Sequence, residues 1–288
     1  MKKLINRSLG FGLNAAAWVA PQQAADWGFR LFCHPFRGKI ADSHRTFFDT
    51  AHLFSLNHEG QHIQGYRWGN GPSKILFVHG WQSHTYRWKK YIEALDKELF
   101  TIYSIDGPGH GLSSGSFMTV PLYGEVLEQL MERTGRFDAV VGHSIGSFTS
   151  MYVFQQRPHL APEKMVALAP PGEALEFFNF YATQLGLANR TMELVRGRFI
   201  DVVGKTPEYF SAASFVSTLP SRGLLIHDEG DDETPIANAE RIHAAWKNSK
   251  LIITRGAGHN LKSAEVLAQV VAFVGGVSAK SEVPAGVS

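Results

Sequence analysis

The chain has 288 residues, 44% of them apolar and 12% aromatic, with a formal charge of +2 at neutral pH. That content can bury one large α/β core, while near-neutrality with scattered basic residues argues against a nucleic-acid partner. The single cysteine, Cys33, excludes an intrachain disulfide and a cysteine-built metal cluster, and most of the thirteen histidines lie at loop or strand ends without ligand spacing, so no cofactor is expected.

Lys2, Lys3 and Arg7 precede a mildly apolar stretch from Leu9 to Ala20, the charge order of a secretory signal. Asn14 interrupts that stretch, Gly10, Gly12 and Pro21 punctuate it, and no small-x-small cleavage site follows. It is also too short to span a bilayer. The favoured reading is a helical extension over residues 1–58 that packs on the domain, in a cytoplasmic protein with no stable membrane span; export or peripheral membrane contact is the alternative. Nothing in the sequence sets the oligomeric state.

From Glu59 onward, short β-like runs alternate with helical patterns, as βαβ units do. Gly65 to Gly71 close a hairpin-like segment, and Lys74 to Val78 form a continuous apolar run ending at His79-Gly80, the pattern of a strand buried on both faces. Similar runs recur at Phe100–Ile105, Phe137–Val141, Lys164–Ala169, Gly223–Ile226 and Leu251–Thr254. Between strands, Leu122, Val126, Leu127, Leu130 and Met131 form a helical stripe after Pro121, ended by Gly135. Leu267, Val270, Val271 and Val274 repeat it, with Ser263 as cap. The expected fold is α/β: a mostly parallel, doubly wound sheet of about eight strands with helices on both faces.

About fifty residues between Pro170-Pro171 and Ser221 contain no strand-like run, which is too long for an unstructured loop and reads as a helical cap inserted after the sixth strand. The expected divisions are a core of 59–170 and 222–276, a cap of 171–221 and a loose tail of 277–288. Aromatic residues of the cap, among them Phe177, Phe178 and Tyr181, either line an apolar substrate pocket or hold the cap together.

The chemistry centres on Gly142-His143-Ser144-Ile145-Gly146, a Gly-x-Ser-x-Gly turn between a strand and a helix. Small flanking residues permit the strained backbone that holds the serine hydroxyl above the sheet. In a parallel sheet, residues that follow successive strands converge on one edge, so Ser144, an acid from the 228–233 loop and His259 come together. His259, in Gly256-Ala257-Gly258-His259, is the candidate general base, needed because a serine hydroxyl is a weak nucleophile until an imidazole takes its proton. Asp231 is the chosen orienting acid, because the loop must leave the strand before a carboxylate can turn towards the histidine; Asp228 and Asp232 are its rivals. Backbone N–H groups of Ile145 and of Trp81, in His79-Gly80-Trp81, are the candidate oxyanion donors. Trp81 and His143 join the cap aromatics as candidate substrate contacts.

Taken together, the His79-Gly80 turn, Asp106-Gly107-Pro108-Gly109-His110-Gly111, the Gly142-to-Gly146 elbow, the cap interval, Asp231 and His259 resemble the α/β-hydrolase superfamily over roughly residues 59 to 275. The resemblance implies a serine esterase or lipase-like enzyme that acts on a small-molecule acyl substrate (an ester, thioester or lactone) by way of an acyl-enzyme on Ser144. Relatives with an elbow aspartate, the haloalkane dehalogenases and epoxide hydrolases, are excluded by that serine. An acyltransferase with the same triad and a binding protein on the same scaffold are the competing readings.

Overall fold

The computed structural model describes residues 2–38 and 40–276; the tail expected at 277–288 lies outside them. Two helices, α1 (Lys2–Val19) and α2 (Pro21–Phe32), come first, followed by α3 (Asp42–Phe48) and the strands β1 (His52–His58), β2 (Gln61–Trp68) and β3 (Ser73–Val78). Then come α4 (Lys89–Ala94), β4 (Phe100–Ile105), α5 (Val120–Thr134), β5 (Ala139–His143), α6 (Ile145–Gln156) and β6 (Lys164–Leu168). The helices α7 (Ala174–Leu185), α8 (Asn189–Val203) and α9 (Ala212–Val216) precede β7 (Arg222–Asp228), α10 (Ile236–Ala245), β8 (Ser249–Thr254) and α11 (Ala264–Gly275).

The eight strands form one sheet in the order β1-β2-β4-β3-β5-β6-β7-β8. All neighbours from β4 to β8 are parallel, and β2 runs antiparallel to both β1 and β4. The sheet separates two apolar layers. On β3, Leu76 and Val78 join the cluster under α5 and α6, whereas Ile75 and Phe77 join the cluster under α4 and α11. Successive side chains on a strand point to opposite faces, so an unbroken apolar run is what a strand covered on both sides requires.

One expectation is corrected here. The first strand, β1, lies inside the segment read as a helical extension, and its hairpin with β2 turns at Glu59-Gly60, where both residues have positive φ, rather than at Gly65–Gly71. β1 is an edge strand on which only Leu56 is buried, so it lacks the apolar signal of the inner strands. Gly65 instead sits mid-strand beneath the Phe54 ring, which a Cβ there would meet at 2.3 Å.

Between β6 and β7, α7, α8 and α9 cover the carboxyl end of the sheet, and a ladder of Phe178, Phe199, Phe210 and Phe215 runs down to Phe148 on α6. α1 and α2 pack on these helices. Gly10 lies so close to Leu185 that a Cβ would come within 1.9 Å of its carbonyl oxygen, and Gly28 abuts Val195. Asn14, the polar break in the α1 apolar stretch, is the anchor: its Nδ2–H donates to Gly186 O at 3.0 Å, while its Oδ1 accepts from Ala188 N–H at 2.9 Å and from Thr191 Oγ1–H at 2.8 Å. These groups close the α7–α8 turn. Replacing Asn14 with Ala strands three polar partners, and we expect chemical denaturation to read a loss of about 1–3 kcal/mol; unchanged stability would show that water serves the turn equally well.

Candidate active site

At the end of β5 the chain turns sharply at Ser144, which has φ 51° and ψ −127°, and enters α6. A Cβ at Gly142 would lie 2.6 Å from the Ser147 backbone, and one at Gly146 would lie 2.4 Å from Val78 O. Neither glycine tolerates a side chain, and the hydrogen bond that Ser144 N–H donates to Leu168 O at 2.8 Å pins the elbow to β6. A non-glycine residue at positive φ is strained, and strain of this kind persists only where surrounding structure imposes it.

The loop after β3 approaches from the other side. A Cβ at Gly80 would come within 3.1 Å of Ser144 Cβ, so the loop backbone passes directly beside the serine. Two buried histidines shape the loop. The Nδ1–H of His79 donates to Gly80 O and its Nε2 accepts from Gly107 N–H; the Nδ1–H of His110 donates to Pro108 O and its Nε2 accepts from Gln82 N–H. Gln82 N–H is thereby spoken for. Among the described residues the N–H groups of Trp81 and Ile145 have no hydrogen-bond partner, which leaves both free to donate to an anion beside Ser144. Asp106, fully buried, accepts from Thr85 N–H, Leu112 N–H and Tyr66 Oη–H and braces the Asp106–Gly111 turn beneath this loop.

Asp231 and His259 meet at the ends of β7 and β8. The His259 Nδ1–H donates to Asp231 Oδ2 at 2.8 Å. The same oxygen accepts from Thr234 Oγ1–H at 2.8 Å and lies 3.4 Å from His227 Nε2, while Oδ1 accepts from Glu233 N–H and Thr234 N–H, each at 2.9 Å. Burial alone would raise the carboxyl pKa, but the hydrogen bonds from His227, His259 and Thr234 outweigh it and hold Asp231 well below the usual carboxylate range. It stays ionised throughout the neutral range. Its rival Asp228 is occupied in the loop itself, accepting from Gly230 N–H, Thr254 Oγ1–H and Ala257 N–H; Asp232 is exposed.

The His259 loop has two further tethers that sequence patterns do not reveal. The Nε2–H of His143 donates to His259 O at 2.9 Å, and Arg87 Nη2–H donates to Asn260 O at 2.7 Å. No hydrogen bond joins Ser144 Oγ to His259 among the described residues; the exposed Glu233 carboxylate lies 3.7 Å from His259 Nε2.

Three expected substrate contacts are corrected. His143 is buried and serves the His259 backbone. Phe178 is buried against Phe32 and Phe199, and Tyr181 Oη–H donates to Gly28 O at 2.7 Å, so both face α2. Two of these partners, Phe32 and Gly28, come from α2, far away in sequence. Phe177 and Trp81 do stand near the elbow: Phe177 packs edge-on against Phe148, four residues after Ser144, and the indole of Trp81 meets the His110 ring.

Burial lowers the pKa of His79 to about 4 and that of His110 to about 3, against weaker support from their carbonyl partners. The folded protein therefore holds both imidazoles neutral, whereas the unfolded chain takes up protons below about pH 6.5. Stability present above that pH must drain away as pH falls towards 4, at about 1.4 kcal/mol per pKa unit for each group. Thermal melts should show Tm level above pH 7 and falling steadily between pH 6.5 and 4; a level Tm across that window would contradict the neutral assignments.

Residues 75–270 match the model of the alpha/beta hydrolase family. An esterase of Mycobacterium tuberculosis is 26% identical over 140 residues, 47% of this chain and 44% of that protein, so the chain spans under half the length of this relative. Among solved structures, a lipase-designated protein of Acinetobacter baumannii superposes with a TM-score of 0.63 at 19% identity, covering 83% of this chain and 98% of the other. A bacterial membrane phospholipase A superposes with a TM-score of 0.64 at 15% identity, covering 96% and 99%. The eight-stranded sheet and the match over residues 75–270 place this chain in the alpha/beta hydrolase family.

Proposed function

We propose that the protein is a serine hydrolase that cleaves a carboxylic ester or a related thioester or lactone. The supporting observation is the short hydrogen bond between His259 Nδ1 and Asp231 Oδ2, made by a carboxylate whose remaining lone pairs are satisfied, on the same sheet edge as a strained serine. Asp231 fixes the tautomer with the proton on Nδ1, which leaves Nε2 as the basic nitrogen.

In the first step Ser144 Oγ attacks the substrate carbonyl carbon while its proton passes to His259 Nε2. The carbonyl π electrons move onto oxygen, and Trp81 N–H and Ile145 N–H donate to that oxyanion at the start of α6, where the helix dipole also favours negative charge. Collapse of the tetrahedral species expels the alkoxide, which takes the proton from Nε2. Water, deprotonated by the same nitrogen, then releases the acid and restores Ser144. Nε2 and Oγ come within hydrogen-bond reach when substrate is bound, since such contacts tighten in the substrate complex. The helices α7–α9 act as a cap, with Phe177 and the Trp81 ring as apolar walls for the acyl group.

Ser144→Ala should reduce p-nitrophenyl ester turnover by roughly 10³-fold or more with Tm unchanged, and a fluorophosphonate probe should label Ser144 in the parent protein alone. Full turnover in the variant would end this reading; turnover with an added alcohol yielding mainly transesterified product would move the assignment to an acyltransferase. Glu233 supplies a second test. A carboxylate 3.7 Å from the basic nitrogen disfavours substrates with their own negative charge near the ester, so Glu233→Gln should raise kcat/KM for an anionic ester relative to a neutral one by about three- to tenfold, an effect that salt screens. Equal changes for both esters would remove Glu233 from substrate discrimination.

A further inference from the structure

The exposed large apolar side chains are not scattered. Seven of the thirteen among the described residues fall within the first 36: Ile5, Leu9, Phe11, Trp18, Val19, Trp27 and Phe36. On α1 the buried side is Gly10, Leu13 and Ala17. The opposite side, at 100° per residue, carries Ile5, Leu9 and Gly12 along one edge, Phe11 and Trp18 along the other, and Ala15 and Val19 between them. Phe11 is 77% exposed and Val19 86%. Ser8 is the only polar residue within that stripe, so the side of α1 turned away from α7 and α8 is apolar, whereas Asn14 on the inward side is spent on the α7–α8 turn. The surface continues across a groove of about 360 Å³ between α1 and α2, lined by Leu9, Gly12, Leu13, Trp27 and Leu31 together with Ser8.

The sequence of the same segment is biased towards positive charge. Residues 1–38 hold five basic side chains (Lys2, Lys3, Arg7, Arg30, Arg37) and one acidic, Asp26, a balance of +4, while the other 250 residues sum to −2. Asp26 is itself paired with Arg198 of α8, and Arg190 of the same helix lies 4.5 Å over the Trp18 ring. Aromatic and aliphatic residues on one face of a segment with a net positive charge are the recognition chemistry of an interfacial helix on an anionic membrane. The alternative occupant, a second copy of the chain, would set +4 against +4. No helix among the described residues is long and apolar enough to cross a bilayer, and α1, about 27 Å long at 1.5 Å per residue, is held flat on α7 and α8 by Asn14 and Gly10.

We propose that the outer face of α1 and α2 docks the protein on the surface of an anionic lipid bilayer, with α1 lying in the interface. Docking of this kind does not depend on the reading of Ser144.

The test uses the full chain and vesicle sedimentation, with no turnover in the readout. On vesicles of equal parts phosphatidylglycerol and phosphatidylcholine the protein should partition at least about tenfold more strongly than on phosphatidylcholine alone, and salt on the order of 0.5 M should remove most of the difference. The double variant Ile5→Ser, Phe11→Ser should bind about tenfold less, with Tm and the hydrolysis of a water-soluble p-nitrophenyl ester unchanged; both residues are exposed, so the fold does not rely on them. Failure of the parent chain to bind anionic vesicles, or equal binding by the double variant, would overturn the proposal. So would a dimer of the parent chain that the same two substitutions dissociate, since the face would then belong to a second copy.

Discussion

The carboxylate of Asp231 is the point on which the site depends. It accepts hydrogen bonds from its own loop at Glu233 N–H and Thr234 N–H, from the Thr234 hydroxyl and from the β8 loop at His259. A buried anion costs several kcal/mol unless its lone pairs are met, and here they are met in part by the His259 ring itself. The bonds that keep Asp231 charged thus include the bond that orients the imidazole, and they tie the β7 loop to the β8 loop.

The histidine side of this contact is held from three directions. Asp231 takes Nδ1, His143 takes the His259 carbonyl, and Arg87 takes the carbonyl of Asn260. Because His143 precedes Ser144, the elbow and the His259 loop are joined through one hydrogen bond. His143 can serve as this tether because burial, with the nearby Arg87 charge, keeps its pKa well below normal and its ring neutral. A protonated His143 would place a cation against the His259 ring, whose centroid lies 5.0 Å away.

How much of this could be read beforehand varied with the range of the interaction involved. The inner strands were plain because burial on both faces leaves a continuous apolar run, and the elbow was plain because Gly142 and Gly146 answer a local steric demand only a few residues wide. Loop position points to Asp231, whose carboxylate accepts from His259, while the Asp228 oxygens close the turns at Gly230 and Ala257. β1 was missed because an edge strand with one buried residue carries almost no periodic signal. Phe178 and Tyr181 went astray for a different reason. An aromatic on a cap helix looks the same whether it faces a substrate or another helix, and the partner that decides, α2, lies about 150 residues away.

Asn14 shows how a local rule can point the wrong way until the tertiary partner is known. In an apolar helix of this length an amide is a defect, and by sequence pattern it weakens any membrane reading of α1. In the fold it faces the α7–α8 turn and pairs with the Gly186 carbonyl and the Ala188 N–H. The amide of α1 is therefore used up internally, against α7 and α8. What α1 has left to present outward is apolar, and an apolar surface of that length on a rigid support has a free energy that favours being covered. The same amide that makes α1 look unfit to cross a membrane is what fixes the helix in the orientation from which it could lie on one.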